Sequence, residues 1–587
     1  MFRKMLVLIV AALPPLAFSQ VPTANAYVQH NLVSDVPGLA DVTDPNLVDP
    51  WGMSASSASP IWVSNHDKGV ATLYNGSGAI VALVVTVPPA AGGAPPSKPT
   101  GQVNNSTTAF VLANGKPASF IFVTEDGTLS AWNAGAASTV MADNSASGAV
   151  YKGLAIGASS TLGPLLYAAN INSGNIDVFD GKFTPAKVAG SFANPNIPSG
   201  FAPFNVWNLG GKLYVTYAKQ SADKKNDVAG SGNGFVSVFD TDGNLLKHLV
   251  SNGPLNSPWG VAIAPSTFSK FAGALLVGNF GNGNINAFDL TTGSLLGTLQ
   301  DTKGNPIQIE GLWALLVGNG KTGGDTNMLY FAAGISNGDT KVHGLFGSLA
   351  PPATVINAFN AASGASGAIA PGEALMLSGI SIGPSPLASG KIPLSGSVDT
   401  SLASTNVYIN GVSAPILYAS ASQTAVLAPY AIAGSSTANV QVTYKGQITA
   451  NFQVQVADSA PGLFTSDSSG SGQVVAFNQD GSVNSSKSPA SAGQVVVLFG
   501  TGEGATNPGG LDGLVTGDLL RIPQLPVSLT IGGQTALVTY AGSGPGMVSG
   551  ILQIEAIVPK GTGTGAVPVV LTVGSASGQK TATISLQ

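Results

Sequence analysis

A short motif returns six times along the first part of the chain. Asp49-Pro50-Trp51-Gly52-Met53 is echoed by Ser257-Pro258-Trp259-Gly260-Val261. Looser versions are Pro99-Thr100-Gly101-Gln102, Tyr151-Lys152-Gly153-Leu154 and Ile309-Glu310-Gly311-Leu312, and Phe204-Asn205-Val206 keeps the frame with Val in place of Gly. The Gly-equivalent positions are 52, 101, 153, 206, 260 and 311, so successive steps are 49, 52, 53, 54 and 51 residues. An interval this regular means stacked or radially arranged copies of one supersecondary unit.

Each unit reads as four short strands. The first begins at the motif. A second apolar run ends in a polar turn, as in Ile61-Trp62-Val63-Ser64-Asn65 and Leu275-Leu276-Val277-Gly278-Asn279. A third closes at Asp or Gly, as in Val236-Ser237-Val238-Phe239-Asp240, residues suited to tight hairpin turns. A fourth follows, for example residues 244–249 and 294–299. Four strands per repeat of about 50 residues predicts a six-bladed β-propeller over 27–349. The sixth unit is one strand short, and residues 27–33 are a strand without a partner. Pairing the two closes the ring and removes an aggregation-prone edge.

A different repeat begins after the Ala350-Pro351-Pro352 linker. Residues 370–379 match 491–500, and Ile409-Asn410-Gly411 with Tyr418 matches Ile531-Gly532-Gly533 with Tyr540, at offsets of 121 and 122. Short alternating strands with Gly turns over such lengths predict two β-sandwich modules, 352–458 and 459–587. The chain is thus expected to be all-β, a six-bladed β-propeller followed by two Ig-like β-sandwich domains.

Composition agrees. Only 9% of residues are charged, against about 25% in an average soluble protein. Val, Ile, Thr, Gly, Ser and Asn dominate, which favours strands and turns. The formal charge is -5, and Arg occurs only at Arg3 and Arg521. Binding a phosphate backbone needs clustered cations, so nucleic acid is excluded as a partner. There is no cysteine, hence no disulfide, thiolate metal site or lipid attachment through sulfur. The N-terminus has the pattern of a signal peptide at 1–19: Arg3 and Lys4, an apolar run over 5–13, then Ala17-Phe18-Ser19 before Gln20. Ala24-Asn25-Ala26 is a second candidate cleavage site. The apolar run is short for a membrane span of about 20 residues. A secreted or cell-surface protein that does not span the membrane after cleavage is expected.

Two resemblances rest on these residues. The Pro-Trp-Gly starts at 50–52 and 258–260, with the stretches 122–132 and 277–289, resemble NHL-like six-bladed propellers. They are more similar still to an uncharacterised family of secreted bacterial propeller proteins. This resemblance implies fold and export. Residues 355–358, 414–418, 460–464, 476–484 and 499–502 resemble a tandem Ig-like domain pair at the C-terminus of secreted bacterial proteins. That resemblance implies an extracellular spacer or adhesion module.

Catalytic motifs meet structural explanations. Gly379-Ile380-Ser381-Ile382-Gly383 has nucleophile-elbow spacing, but an elbow needs a following helix and a His base. Pro384 and Pro386 follow it, and His30, His66, His248 and His343 all lie in the propeller half. Gly318, Gly320 and Gly323 fit a phosphate-loop spacing but fall between two strands of unit six, without the helix such a loop caps. Asp240-Thr241-Asp242-Gly243 lacks the remaining calcium ligands and reads as a polar turn. His66-Asp67 and His343 lack metal-ligand spacing.

The remaining candidate is positional. The residues one before the repeat glycine are Trp51, Thr100, Lys152, Asn205, Trp259 and Glu310, at the mouth of the central channel. Trp51, Glu310, Trp259 and Asn205 are the expected ligand-binding set: two indoles flanking a carboxylate suit a sugar or a cation. Lys152 falls opposite Glu310, three blades away. Only Glu310 and Asn205 could serve calcium, which takes six to eight oxygens, so calcium is a weak expectation. With few convergent ionisable groups, a non-catalytic binding or surface scaffold protein is favoured, its partner an extracellular glycan or surface protein. The alternatives are a purely structural envelope component and a calcium-assisted hydrolase, lactonase or lyase.

Overall fold

The computed structural model describes residues 24–587; the signal segment at 1–19 lies outside them. The described chain divides into two compact units, 24–351 and 352–587.

The first unit is a six-bladed propeller. Blade one is Pro50–Ser54, Ile61–Asn65, Val70–Tyr74 and Ile80–Thr86, from the inside outward. Blade two is Pro99–Asn104, Phe120–Thr124, Thr128–Trp132 and Thr139–Asp143. Blade four is Phe201–Leu209, Lys212–Lys219, Gly234–Phe239 and Leu245–Ser251, and blade five is Pro258–Ile263, Leu275–Asn279, Ile285–Phe288 and Leu295–Thr298. Blade six supplies Leu312–Val317, Leu329–Ile335 and His343–Ala350, and Val28–Ser34 adds antiparallel as its fourth strand. Each innermost strand touches the next around the circle, and Leu312–Val317 returns to Pro50–Ser54.

The repeated glycine explains the spacing. In all six innermost strands the pairing register shifts at or beside the motif, a bulge that turns the strand start toward the axis. A Cβ on Gly52 would lie 2.4 Å from the Thr100 carbonyl oxygen, one on Gly101 2.4 Å from the Leu154 nitrogen, and one on Gly260 2.5 Å from the Trp313 carbonyl oxygen. The missing side chain is what lets one blade's backbone approach the next. Apolar side chains then fill the seams between blades, as with Val178, Val206, Val215 and Phe239 between blades three and four.

Blade three departs from the four-strand expectation. It has three strands, Tyr151–Ser159, Gly163–Asn170 and Asn175–Asp180. The chain beyond them pairs only briefly, Ala186 N to Val178 O at 2.8 Å, then crosses to the turn of blade four through Gly190 N to Asp242 O and Phe192 N to Gly243 O. Pro185, Pro195 and Pro198 in this stretch lack the N–H a ladder needs.

In the second unit a five-stranded sheet containing Thr354–Asn360, Ala374–Ile380 and Gln423–Leu427 covers a second sheet built on Thr405–Ile409 and Thr437–Tyr444. Between them lies a core that includes Leu375, Leu377, Val407, Val426 and Val440. The second half is a ten-stranded sheet that encloses its own core, with a separate two-stranded ribbon of Thr506–Asn507 and Ile522–Pro523. The long strand Gln534–Ser543 pairs with Val527–Ile531 at its start and with Leu552–Ile557 along the rest. A further apolar cluster joins the halves, with Leu417 and Leu427 from the first and Phe464, Phe499 and Val548 from the second. Ser381 is followed by bends and not by a helix, so no nucleophile elbow forms. Among the described residues no helix is long and apolar enough to cross a membrane.

Candidate functional site at the channel mouth

Strand direction alternates within a blade. The start of the first strand and the turn after the second therefore meet at one end of the ring. The same backbone bond ties them in four blades: His66 N to Asp49 O, Glu125 N to Lys98 O, Ile171 N to Val150 O and Phe280 N to Ser257 O. Blades one and two place ionisable residues at both positions, and blades three and five mostly apolar ones. The mouth is accordingly charged on one side and apolar on the other.

His66 opens a single 3-10 turn, His66–Lys68, closed by Gly69 in the left-handed conformation. Its ring is held from both sides. Nδ1 lies 2.9 Å from Asp67 Oδ1 and 3.2 Å from Asp49 Oδ2, and Nε2 lies 2.8 Å from Glu125 Oε2. Lys98 Nζ reaches Asp67 Oδ1 at 2.5 Å. Lys152, only 2% exposed, pairs with the other oxygen of Glu125 and lies 3.4 Å from Asn226 Oδ1. Three carboxylates thus meet three cations across blades one, two and three, with Asn226 reaching in from the 220–233 loop of blade four.

Burial alone would push the His66 imidazole down, but the hydrogen bonds it donates to Asp49, Asp67 and Glu125 overcome this and hold the pKa up at about 10. For Glu125, burial works upward, and His66 and Lys152 outweigh it, taking the carboxyl down to about 2. Asp67 is held below the usual carboxylate range, first by its bond to His66 and also by Lys98. Asp227, in the blade-four loop, moves the other way because burial dominates there.

Beneath the charges lies an aromatic plug. Trp51 stacks on His66, centroids 4.8 Å apart, and on Trp313 at 3.6 Å. Trp313 stacks in turn on Phe280 at 4.0 Å and meets Trp259 edge-on at 5.9 Å. Lys152 Nζ stands 5.1 Å from the Trp51 ring centroid, within cation–π range.

The four residues singled out from sequence fall in two settings. Trp51, Trp259 and Asn205 are buried, at 5%, 1% and 1% exposure. Trp259 Nε1 donates to Lys152 O at 3.0 Å, and Asn205 Nδ2 donates to Trp259 O at 2.9 Å. Both indoles are enclosed by the plug and offer no free ring face to a sugar. Glu310 is exposed, accepting from Ser336 Oγ at 2.7 Å. Lys152 pairs with Glu125 rather than with Glu310 across the ring. His66, Asp49, Asp67, Glu125 and Lys98 were not expected at the mouth. Their signal was available in the hairpin parity: the residues just after each second strand share an end with the repeat glycine.

As chemistry, the cluster is saturated. A histidine serving as general base must be unprotonated at the working pH, and its three carboxylate partners hold His66 in the protonated form. Asp49, His66 and Asp67 bring ligand atoms within 4.8 Å of one another. A metal there would require His66 to lose its proton and Lys98 to release Asp67, because imidazole ligates only when neutral. The residues fit an internal ion network better than a calcium site. A cleft of 590 Å³ beside blade three, lined by Val178, Phe179, Lys187 and Phe192, has Asp177 as its one carboxylate, already held by Tyr151 and Asn170.

No family model matches the chain. Among solved structures it is similar to a streptogramin B lyase, at 14% identity, covering 55% of this chain and 96% of that one with a TM-score of 0.34. It is also similar to an α-L-arabinanase of Penicillium chrysogenum, at 12%, 55% and 97% coverage and a TM-score of 0.32. Among curated proteins it is 32% identical over 331 residues to the uncharacterised protein R648 of Acanthamoeba polyphaga mimivirus, covering 54% of this chain and 78% of that protein. The uncharacterised protein L690 of the same virus is 31% identical over 330 residues, covering 54% and 84%. At that identity and coverage, the chain belongs to the family of the mimivirus proteins R648 and L690.

Proposed function

We propose that the chain is an exported, non-catalytic binding or cell-surface scaffold protein. The propeller's channel mouth is its ligand platform, and residues 352–587 act as an Ig-like spacer or adhesion unit. The observation that carries this reading is the closed ion network, in which His66 is kept charged and bonded at both ring nitrogens. Such a network is rigid, balanced in charge and poor in reactive groups. Its half-exposed outer members, Asp67 and Lys98, present fixed donors and acceptors. A neutral polyhydroxylated ligand such as an extracellular glycan matches that surface, because hydrogen bonds to charged groups are the strong ones and no net charge is needed. In this arrangement Trp51 and Trp259 form the floor that sets the network, and do not stack on the sugar.

The test is a glycan panel with calorimetric follow-up on wild type, Lys98→Ala and Glu125→Gln, with and without calcium. A glycan whose affinity falls at least about tenfold in both variants supports the platform, tenfold being about 1.4 kcal/mol. A glycan bound equally by all three places the site elsewhere. Turnover of a glycan or lactone that disappears in His66→Gln would replace this reading with the enzymatic one.

A further inference from the structure

The halves of the C-terminal unit meet along a tight, polar-lined seam. Asn360 Nδ2 donates to Ala460 O, and Ala374 N to Thr501 Oγ1, each at 2.8 Å. Val398 N donates to Gly513 O and Val515 N to Gly396 O. Tyr430 is the central piece. A Cβ on Gly372 would lie 2.4 Å from its ring and one on Gly510 2.3 Å, so the ring is clamped between a glycine of each half. Its N–H donates to Asp512 Oδ1 at 2.8 Å and its hydroxyl to Glu503 Oε1 at 3.3 Å.

Glu503 is 2% exposed, and its Oε2 has no hydrogen-bond partner among the described residues. Among the described residues no cation is bonded to it. The charged and titratable groups around it are Tyr430 and Asp512 on the seam, Arg521, whose Nε is engaged with Gly509 O, and Tyr540 and Glu555 on the adjoining strands. A carboxylate left unpaired in such a place is costly, and a neutral carboxylic acid costs much less.

We propose that Glu503 is a proton-operated latch between the two halves: neutral, it seats beneath Tyr430 and lets the seam close; ionised, it draws water in and loosens it. Burial, only partly offset by the Tyr430 hydroxyl, pushes this carboxyl up to about 7. A second buried carboxyl, Glu373, lies one residue from Gly372 on the opposite side and is pushed up to about 8 by burial, against bonds from Ala370 N and Asn360. Its counterpart in the tandem repeat is the neutral Gln494, whose Oε1 accepts from Ser491 N as Glu373 Oε2 accepts from Ala370 N. The same turn is therefore built elsewhere in this chain around an uncharged group.

The sign follows from linkage. A carboxyl whose folded pKa is raised contributes stability that is complete below its ordinary value and is lost as pH rises through the raised one. For Glu503 the window runs from about 4.5 to about 7.

The experiment is hydrogen exchange on the full chain at pH 5 and pH 9, corrected for intrinsic rates, reading the amides of Ala374, Val398, Tyr430 and Val515 against amides of Thr405–Ile409 and Thr437–Tyr444 in the same unit. In wild type the seam amides should lose at least about tenfold in protection relative to those reference strands, the size expected when closing the seam changes a carboxyl's proton affinity by tenfold or more. Glu503→Gln should clearly shrink that loss, leaving only the part that Glu373 carries, and Glu503→Gln combined with Glu373→Gln should abolish it. Tyr430→Phe removes the one donor to Glu503 and should move the loss to higher pH. Equal protection at both pH values in wild type overturns the latch, as does an undiminished loss in Glu503→Gln.

Discussion

His66 Nε2 lies 2.8 Å from Glu125 Oε2 across the boundary between blades one and two. The two residues occupy equivalent positions in successive repeats. One ion pair therefore ties neighbouring blades together at the place where the repeat would otherwise put identical side chains side by side.

Stability of the propeller should follow that pair. The His66 contribution is complete below about 6.5 and is lost as pH rises through about 10. The Glu125 contribution is complete above about 4.5 and is lost as pH falls toward about 2. Wild type should melt highest between these limits. His66→Gln removes the cation shared by Asp49, Asp67 and Glu125, leaving Glu125 only Lys152, Asp67 only Lys98 and Asp49 no ion-pair partner among the described residues, and should cost about 3 kcal/mol near pH 6, within the range for breaking a buried pair. Thermal melts from pH 3 to pH 10.5 check this, and a variant with the wild-type alkaline slope contradicts it.

Ring closure gives a second prediction. Val28–Ser34 pairs with His343–Ala350, and Tyr27 is buried with its ring 4.5 Å from that of Phe268 and its hydroxyl on Phe268 O. Tyr27→Ala should lower the propeller's stability in denaturant by about 3 kcal/mol, as large-to-small changes at buried aromatics do. Loss of residues 24–35 should expose the edge of His343–Ala350 and lower the melting temperature further. An unchanged transition in the truncated protein would sink the closure argument.

The repeat glycines make a third. Gly101→Ala places a Cβ 2.4 Å from Leu154 N, backbone that cannot step aside, and should cost about 1–3 kcal/mol as overpacking does. Gly115→Ala is the control for a surface glycine: nothing lies within 4 Å, but its φ of +76° adds conformational strain without a clash. If Gly101→Ala unfolds at the wild-type denaturant concentration, the close approach between blades is not what the repeat glycine is for.

Six blades and their closing strand were legible in the sequence because the glycine interval and the unpaired segment at 27–33 are periodic features of the chain itself. The missing strand of blade three was not, because Pro185, Pro195 and Pro198 had to be weighed against a repeat that suggested a fourth strand. At the mouth, the repeat located Trp51, Trp259 and Asn205 but not their burial. That depends on Trp313 of blade six and Phe280 of blade five, which lie outside the compared positions and pack against the motif tryptophans. The His66–Glu125–Lys152 chain needs three blades brought together at angstrom distances, and side-chain pairing of that kind is set by geometry rather than by spacing.

The C-terminal unit carries the last prediction. Residues 352–587 have a core in each half and a third apolar cluster, including Leu417, Leu427, Phe464, Phe499 and Val548, that neither half completes alone. Backbone bonds between Val398 and Gly513 and between Val515 and Gly396 cross the same boundary. Expressed as 352–587, the fragment should therefore unfold in one cooperative transition. Expressed as 352–458, the first half should keep strand signal but expose the Leu417–Leu427 face, bind a hydrophobic dye and melt lower than the whole. Calorimetry decides between the two pictures. A single peak whose calorimetric and van't Hoff enthalpies agree means that the halves fold as one body, whereas two separable peaks, with 352–458 melting at the temperature of one of them, mean that the shared cluster contributes nothing.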